Sequence, residues 1–154
     1  MEIVDLKTAP EHIPALARWH HQEWSELNPG FTLDDRINKM QAYLSAAVIP
    51  GTFIAKSDSI ILGSSALLEY DMDTNRHLSP WLASVYVDEP YRNQGIGTKL
   101  VLHAMEVARN ASIRNLYLFT PDQAPFYAKL GWTILSEENY RNQIVTVMQY
   151  AMDH

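Results

Sequence analysis

The chain has no cysteine, no long apolar run and no surplus of positive charge. Its 154 residues include 12 Lys+Arg and 18 Asp+Glu, which gives a formal net charge of −6. Without cysteine it can form neither a disulfide nor a cysteine zinc site. An acidic chain without a basic cluster is poorly suited to nucleic acids and membrane surfaces, because both are anionic. These absences predict a protein that binds neither.

Signals for export or membrane insertion are also missing. The first residues have neither the basic stretch nor the apolar core of a signal peptide. No apolar run approaches the roughly 18 residues of a membrane-spanning helix. We therefore expect a cytoplasmic protein. No linker is visible, and a chain of this length suffices for one compact domain, so we expect a single domain over residues 1–154.

Hydrophobic spacing predicts elements in the order β-α-α-β-β-β-α-β-α-β-β. Thr8 and Pro10 are expected to start the first helix, and Thr32 to cap the second. The clearest helix covers residues 96–111, and Gly131 is expected to end a short one. The predicted fold is α/β (α+β), with a mixed, mainly antiparallel central sheet of about seven strands and helices on both faces.

Two glycines one residue apart, Gly95 and Gly97, lie between a strand-like run and the clearest helix. The dinucleotide-binding pattern fails because its third glycine would fall on Leu100. The P-loop pattern also fails, since Gly97 is followed by Thr-Lys rather than Lys-Ser/Thr. Two interpretations of R-N-Q-G-I-G at 92–97 remain equally supported. The turn is either a site for a pyrophosphate at a helix N-terminus or a plain surface bend.

The chain contains no convincing metal motif. Residues 71–75 open like a calcium loop, but Arg76 stands at its required glycine and Leu82 at its bidentate glutamate. His20 and His21 are adjacent and lack metal-ligand spacing. We therefore predict no metal.

The run R-x-x-G-x-G after Val85-Tyr86-Val87 resembles the acetyl-CoA loop of the GNAT superfamily of N-acetyltransferases. Downstream, F-Y-A-K-L-G-W at 126–132 resembles that family's second signature. The resemblance is strong over residues 80–135, and the element order extends it to the rest of the chain. It implies a GNAT fold and an N-acetyltransferase. Such an enzyme transfers the acetyl group of acetyl-CoA to a primary amine of a small molecule, by direct attack in a ternary complex.

The resemblance also implies roles for the residues that match its motifs. The backbone of Val85, Tyr86 and Val87 would pair with the pantetheine arm of acetyl-CoA, and the Val87 amide would hold the oxyanion. Tyr127 would protonate the CoA thiolate. The pyrophosphate would lie on a loop composed of Arg92, Asn93, Gln94, Gly95, Ile96, Gly97 and Thr98.

Two positions depart from the family pattern. Many members carry an asparagine where this chain has Thr120, and Gln123 could replace that cofactor contact. Many also carry a glutamate that deprotonates the amine, on the strand before the glycine loop. The matching position here is about Trp81, which cannot act as a base. The alternative candidates are Glu69, His77 and Asp88, or a route through ordered water and backbone carbonyls.

The acceptor amine is expected where the first two helices meet the sheet. Trp24, Phe31 and Trp81 are predicted to line that pocket, with Glu69 as a further contact. Acidic residues nearby in sequence would suit a cationic amine, although most are expected to be solvated helix faces. They are Glu23, Glu26, Asp34 and Asp35.

Other functions and assemblies are compatible with these motifs. The acceptor could instead be a peptide N-terminus or a protein lysine. The chain could also be a non-catalytic acyl-CoA-binding module, because fold alone does not imply function. Many GNAT domains pair, which leaves a homodimer open, although no stretch of the sequence indicates an interface.

Overall fold

A computed structural model describes residues 1–45 and 47–152, and its elements follow the predicted order. Residues 46, 153 and 154, which the predicted single domain includes, lie outside the described residues. The helices are α1 (Ile13–Trp24), α2 (Leu33–Ala42), α3 (Ile96–Asn110) and α4 (Ala124–Lys129). The strands are β1 (Glu2–Asp5), β2 (Gly51–Ser57), β3 (Ile60–Leu68), β4 (Trp81–Val87), β5 (Asn115–Thr120), β6 (Thr133–Tyr140) and β7 (Gln143–Ala151).

One seven-stranded sheet runs through the molecule in the order β1-β2-β3-β4-β5-β7-β6. Only the β4–β5 pair is parallel; the other neighbours are antiparallel. The prediction of a mixed, mainly antiparallel sheet of seven strands is therefore confirmed.

The helices cover both faces of this sheet. Neighbouring strand residues point to opposite faces. On β2, Phe53 packs with Val101 of α3, whereas Ile54 packs with Leu16 of α1. α3 and α1 therefore lie on opposite faces, as predicted. Within residues 1–45 and 47–152, no helix combines the length and apolar character needed to cross a membrane.

One of the two predicted helix starts is correct. Thr32 caps α2 in a reciprocal pair with Asp35, in which each side chain accepts the other's backbone amide. The start of α1 was predicted wrongly. The Thr8 hydroxyl donates to the Asp5 carbonyl, and a short 3-10 turn at Pro10–His12 precedes the helix. The sequence pattern did not distinguish that tight turn from the first turn of an α-helix.

An irregularity in the middle of the sheet creates the space for a ligand. β4 and β5 pair at Trp81 and Tyr117 and then separate. Between the β3 residues Ser64 and Ala66, β4 carries one residue more than β3, a β-bulge. Ser84 lies in this bulge with a left-handed backbone, φ 54°. The bulge bends β4 at the point where the two strands part.

Candidate active site

A cavity of about 1220 Å³ occupies the gap between β4 and β5. One end is lined by the glycine loop at residues 92–98. The other end is lined by the connection between α1 and α2, by the loop after β3 and by the β6–β7 turn. A cavity of this size can hold two ligands end to end, since pockets for drug-sized molecules measure about 300–1,000 Å³.

The glycine loop presents backbone amides to one end of the cavity. Asn93 and Gly95 both have left-handed backbones, φ 64° and 81°, and Gly95 is the N-cap of α3. The first helical bond runs from the Lys99 amide to the Gly95 carbonyl, 3.2 Å. The amides of Ile96, Gly97 and Thr98 precede that bond, so the helix itself offers them no acceptor. The first turn of α3 contains no acidic residue, which leaves this positive helix end free for an anion.

Gly97 lies close to the end of β4 and to α4. A Cβ added at Gly97 would lie 3.5 Å from Val87 Cγ2 and 3.7 Å from Phe126 Cζ. One methyl group therefore fits, but a branched side chain would push on both neighbours. The narrow contact keeps α3 close to the end of β4.

Arg92 braces the loop against β4. Its Nε donates to the Val87 carbonyl, 2.8 Å, and its guanidinium lies 5.4 Å from the centre of the Tyr86 ring. The side chain is exposed and lines the cavity. Arg92 thus fixes the turn in place, and its remaining N–H groups stay available to an anionic ligand.

The open edge of β4 points a backbone donor into the gap. The Asp88 amide donates to the Leu62 carbonyl on β3, 2.9 Å. Since backbone amides alternate between the two edges of a strand, the Val87 amide faces the opposite edge, toward the gap. This orientation is the one that an added strand or a carbonyl oxygen requires.

Tyr127 lies on α4 beside the gap and is 8% exposed. Its ring packs against Phe126 and Trp132, with centroid distances of 5.0 and 6.2 Å. Burial raises the pKa of its phenol, and the nearby Asp71 raises it further. The phenol therefore stays protonated at neutral pH. Gly131, φ 98°, ends this helix as predicted.

Thr120 shapes the loop after β5. The buried Thr120 hydroxyl accepts the Gln123 amide, 3.0 Å. This bond holds the turn that leads into α4. Both residues line the cavity.

The remaining predicted site residues divide into two groups. Trp24 and Phe31 line the cavity, as expected for acceptor-binding residues. Glu69 is exposed, and Trp81 is fully buried with its indole donating to the Leu78 carbonyl, 2.8 Å; neither lines the cavity. Gln94 also lies outside the lining. Glu69 follows the end of β3, and Trp81 lies where β4 and β5 are still paired, which corrects both predictions.

The expected base candidates and most of the nearby acids also lie away from the cavity. His77 and Asp88 do not line it; Asp88 instead accepts the Glu89 amide, 3.1 Å. Glu23 lines it, and Asp35 serves the α2 cap. Glu26 and Asp34 are exposed and outside it.

The sequence patterns did not indicate six charged residues of the acceptor end, which come from three separate segments. The signal available was the spacing of Arg36 and Lys39, because residues three apart share one face of a helix. The other four have no local signal, since Asp71 and Asp73 match only the opening of the rejected calcium loop. The six lining residues are Arg36, Lys39, Asp71, Asp73, Arg76 and Arg141.

Asp71 has the most perturbed carboxyl at this end. It is half-buried, and burial raises its pKa to about 7. Lys39, Arg36 and Arg141 oppose that rise, in decreasing order. Desolvation outweighs the three cations, so Asp71 is poised to exchange a proton near neutral pH.

Arg141, in the β6–β7 turn, closes one side of the acceptor end. Its Nη1 donates to the Leu27 carbonyl, 2.7 Å, and to Asn28 Oδ1, 2.8 Å. Its Nη2 pairs with the Asp73 carboxylate. One side chain thereby ties the turn to the α1–α2 connection and to the loop after β3. In the described part of the chain, no group of three His, Cys, Asp or Glu residues could hold a metal ion.

A family model described as "Acetyltransferase (GNAT) domain" matches residues 50–134. The chain belongs to the GNAT acetyltransferase family. The match spans β2 through the start of β6 and therefore includes the glycine loop, the sheet gap and Tyr127.

Solved structures share this GNAT fold over almost the full chain. A Salmonella typhimurium protein with its cofactor acetyl-CoA is 16% identical, with TM-score 0.72, covering 100% of this chain and 95% of its own. An aminoglycoside 6'-N-acetyltransferase complexed with coenzyme A is 16% identical, with TM-score 0.79 and coverage of 98% and 97%. A ribosomal-protein-alanine N-acetyltransferase from Brucella melitensis is 17% identical, with TM-score 0.75 and coverage of 99% and 100%.

Proposed function

We propose that this GNAT protein transfers the acetyl group of acetyl-CoA to a primary amine of a small molecule, by direct attack in a ternary complex. The observation that carries this proposal is the continuous cavity. It joins backbone amides suited to a pyrophosphate with a charged chamber suited to an acceptor, through a gap in the sheet. The neighbours with bound acetyl-CoA or coenzyme A support the choice of donor.

The residues at the glycine-loop end fit acetyl-CoA. The amides of Ile96, Gly97 and Thr98 would hold the pyrophosphate, and the open edge of β4 would pair with the pantetheine arm. Bound there, acetyl-CoA supplies a thioester that the amine attacks, so that the C–N bond forms, the C–S bond breaks and CoA leaves as the thiol.

Val87 and Tyr127 would stabilise the two atoms that gain negative charge, the carbonyl oxygen and the departing sulfur. The Val87 amide, aimed into the gap, would donate to the carbonyl oxygen as its charge develops. The Tyr127 phenol would give its proton to the departing sulfur. The phenol regains a proton from the nitrogen that becomes the amide, which balances the transfer. Its raised pKa keeps it in the acid form that this role requires.

Asp71 is our candidate for the group that deprotonates the incoming ammonium. It lines the acceptor end, and its pKa of about 7 matches a base working near neutral pH. Asp71 and Tyr127 both line this cavity. Asp71 thus takes the role for which the sequence had offered Glu69, His77 and Asp88.

The hydrogen bonds that Arg141 donates to Leu27 and Asn28 favour a small acceptor over a peptide or protein lysine. They link the β6–β7 turn to the α1–α2 connection across one side of the chamber. An extended peptide would need that side open, whereas a small amine would not.

The test is acetyl transfer measured as free thiol release from acetyl-CoA, with the product identified by mass spectrometry. The substrates would be a panel of small primary amines and a panel of peptides with free N-termini and lysines. Amine-dependent release with small amines supports the proposal. Release only with peptides would reassign the acceptor, and release with neither panel would favour a non-catalytic acyl-CoA-binding module.

A further inference from the structure

Arg36 reaches from α2 to the bulge of β4, in the acceptor end of the cavity. Its Nη2 donates to Ser84 Oγ, 3.0 Å, and lies 2.8 Å from His20 Nδ1. Ser84 belongs to the bulge where β4 and β5 separate. The guanidinium is therefore held beside the position where the two substrates would meet.

The hydrogen bonds around His20 define its tautomer and show that it is neutral. The Ser64 hydroxyl donates to the Ser84 carbonyl, 2.7 Å, so it accepts from His20 Nε2, 2.8 Å. Nδ1 is then an acceptor and receives the Arg36 proton. Burial lowers the pKa of His20, and the Arg36 charge lowers it further. His20 thus fixes the guanidinium but adds no charge, positive or negative.

Within the described residues, the guanidinium of Arg36 forms no ion pair with a carboxylate. Its Nε is buried and has no hydrogen-bond partner there. Burial lowers the pKa of the guanidinium, and the nearby Tyr43 and Asp71 offset part of that effect. A buried cation left without an anion is costly, which is why such groups are normally paired.

Lys39 adds a second cation on the same helix face. It lines the cavity, is solvent-exposed and forms no ion pair with a described residue; its ammonium lies 5.7 Å from the centre of the Phe31 ring. Arg141, by contrast, is already paired with Asp73. Arg76 also lines this end and forms no ion pair with a described residue. Three unpaired cations therefore face the acceptor, against the carboxyls of Glu23 and Asp71.

We propose that the acceptor amine carries an anionic group, a carboxylate or a phosphate-like group, which binds Arg36 with Lys39 as a second contact while the amine approaches Asp71. This inference rests on the proposed acetyltransferase function and narrows its substrate class. A guanidinium is suited to both kinds of anion, because its planar N–H groups match two acceptor oxygens at once.

The test compares amines of one chain length that differ only at the far end. The probes are β-alanine, 2-aminoethylphosphonate, β-alaninamide and 1,3-diaminopropane, each assayed by thiol release from acetyl-CoA. We expect kcat/KM for the better anion to exceed that for the amide and the diamine by roughly 10- to 100-fold, as for a hydrogen bond to a charged group. The carboxylate and phosphonate arms identify which anion is preferred.

Arg36→Gln should remove the preference, and Arg36→Lys should retain part of it. Arg18→Gln is the matched control, because Arg18 is exposed on α1 and does not line the cavity. If Arg36 served only to brace the bulge, Arg36→Gln would slow all four amines equally and leave their ratios unchanged. The comparison of the four amines on the wild-type protein tests the proposal even if Arg36→Gln folds poorly.

Acetyl-CoA binding, measured calorimetrically on the same preparation, distinguishes failure of the anionic-acceptor proposal from failure of the proposed function. Equal rates, a preference for the amide or the diamine, or no transfer to any probe despite acetyl-CoA binding would overturn the anionic-acceptor proposal alone. Absence of acetyl-CoA binding would overturn both this proposal and the proposed function.

Discussion

The two ends of the cavity differ in whether backbone amides or side chains line them. The glycine-loop end is formed mainly by backbone amides from one continuous segment, residues 92–98. The acceptor end is formed by side chains from α2, the loop after β3 and the β6–β7 turn. A backbone site needs a particular chain conformation, which a short motif can encode. A side-chain site assembled from distant segments has no such local signature.

Tyr127 lies between the two ends, and changing it should have the largest effect. Tyr127→Phe removes the proton for the departing sulfur while keeping the ring that packs against Phe126 and Trp132. We expect kcat to fall by roughly 10²–10⁴-fold with acetyl-CoA affinity unchanged, measured by thiol release and calorimetry. An unchanged kcat would remove Tyr127 from the chemistry, and a silent binding module would show no turnover to lose.

Asp71→Asn should act on the acceptor end and leave the glycine-loop end intact. We expect kcat/KM at pH 8 to fall by roughly 100-fold or more, with acetyl-CoA affinity preserved. The wild-type enzyme should lose activity as pH falls below about 7, where Asp71 becomes protonated. If the pH–rate profile of Asp71→Asn still showed the loss of activity below about pH 7, Asp71 would be excluded as the base.

Asp71→Asn should raise the stability of the folded protein at neutral and alkaline pH, although it lowers activity. The folded-state pKa of Asp71 lies above the usual value for Asp, so the folded protein is destabilised as pH rises from about 4 to about 7. Asp71→Asn removes this loss because it cannot ionise. Its Tm should exceed that of the wild type at pH 8 and approach it at pH 4. A lower Tm at pH 8 would show that the three nearby cations need the ionised carboxylate.

Substitutions of Gly97 should act on the glycine-loop end alone. Gly97→Val would press on Val87 and Phe126, and overpacking of this kind costs about 1–3 kcal/mol. We expect the Kd for acetyl-CoA to rise by roughly 10- to 100-fold. Gly97→Ala is the matched control, since its methyl group meets both neighbours at ordinary contact distance and should change Kd less than about threefold. Equal effects of the two variants would contradict the close-packing account.

Arg141→Ala should give the smallest effect. It opens one side of the acceptor end by removing the bonds to Leu27, Asn28 and Asp73. We expect KM for the amine to rise about 3- to 10-fold while acetyl-CoA affinity stays constant, because the lost bonds are partly exposed. A change in acetyl-CoA affinity instead would mean that the two ends are not independent.

The sequence predicted the fold well because the signals for its elements are local. Thr32, Gly95 and Gly131 each mark a helix end through their own chemistry, and hydrophobic spacing marks the strands. The prediction failed where a tertiary contact decides the outcome. Trp81 was placed in the pocket because the chain alone does not show where β4 and β5 begin to separate.

The acceptor end could not be predicted, because its charges become neighbours only in the fold. The acids near α1 and α2 in sequence suggested a cationic amine. The unpaired guanidinium of Arg36 beside Ser84 supports the opposite charge. Ser84 and Arg36 are 48 residues apart in the chain, so no local pattern could relate them.

A calorimetric titration of the protein with acetyl-CoA, with ATP and NAD as controls, would show whether the glycine loop and the sheet gap bind the cofactor. The account predicts saturable binding with a Kd between about 1 μM and 1 mM, weakened by Gly97→Val, and no binding of either control. Absence of acetyl-CoA binding would contradict it. The glycines would then form only a turn, and the GNAT fold would be present without its cofactor chemistry.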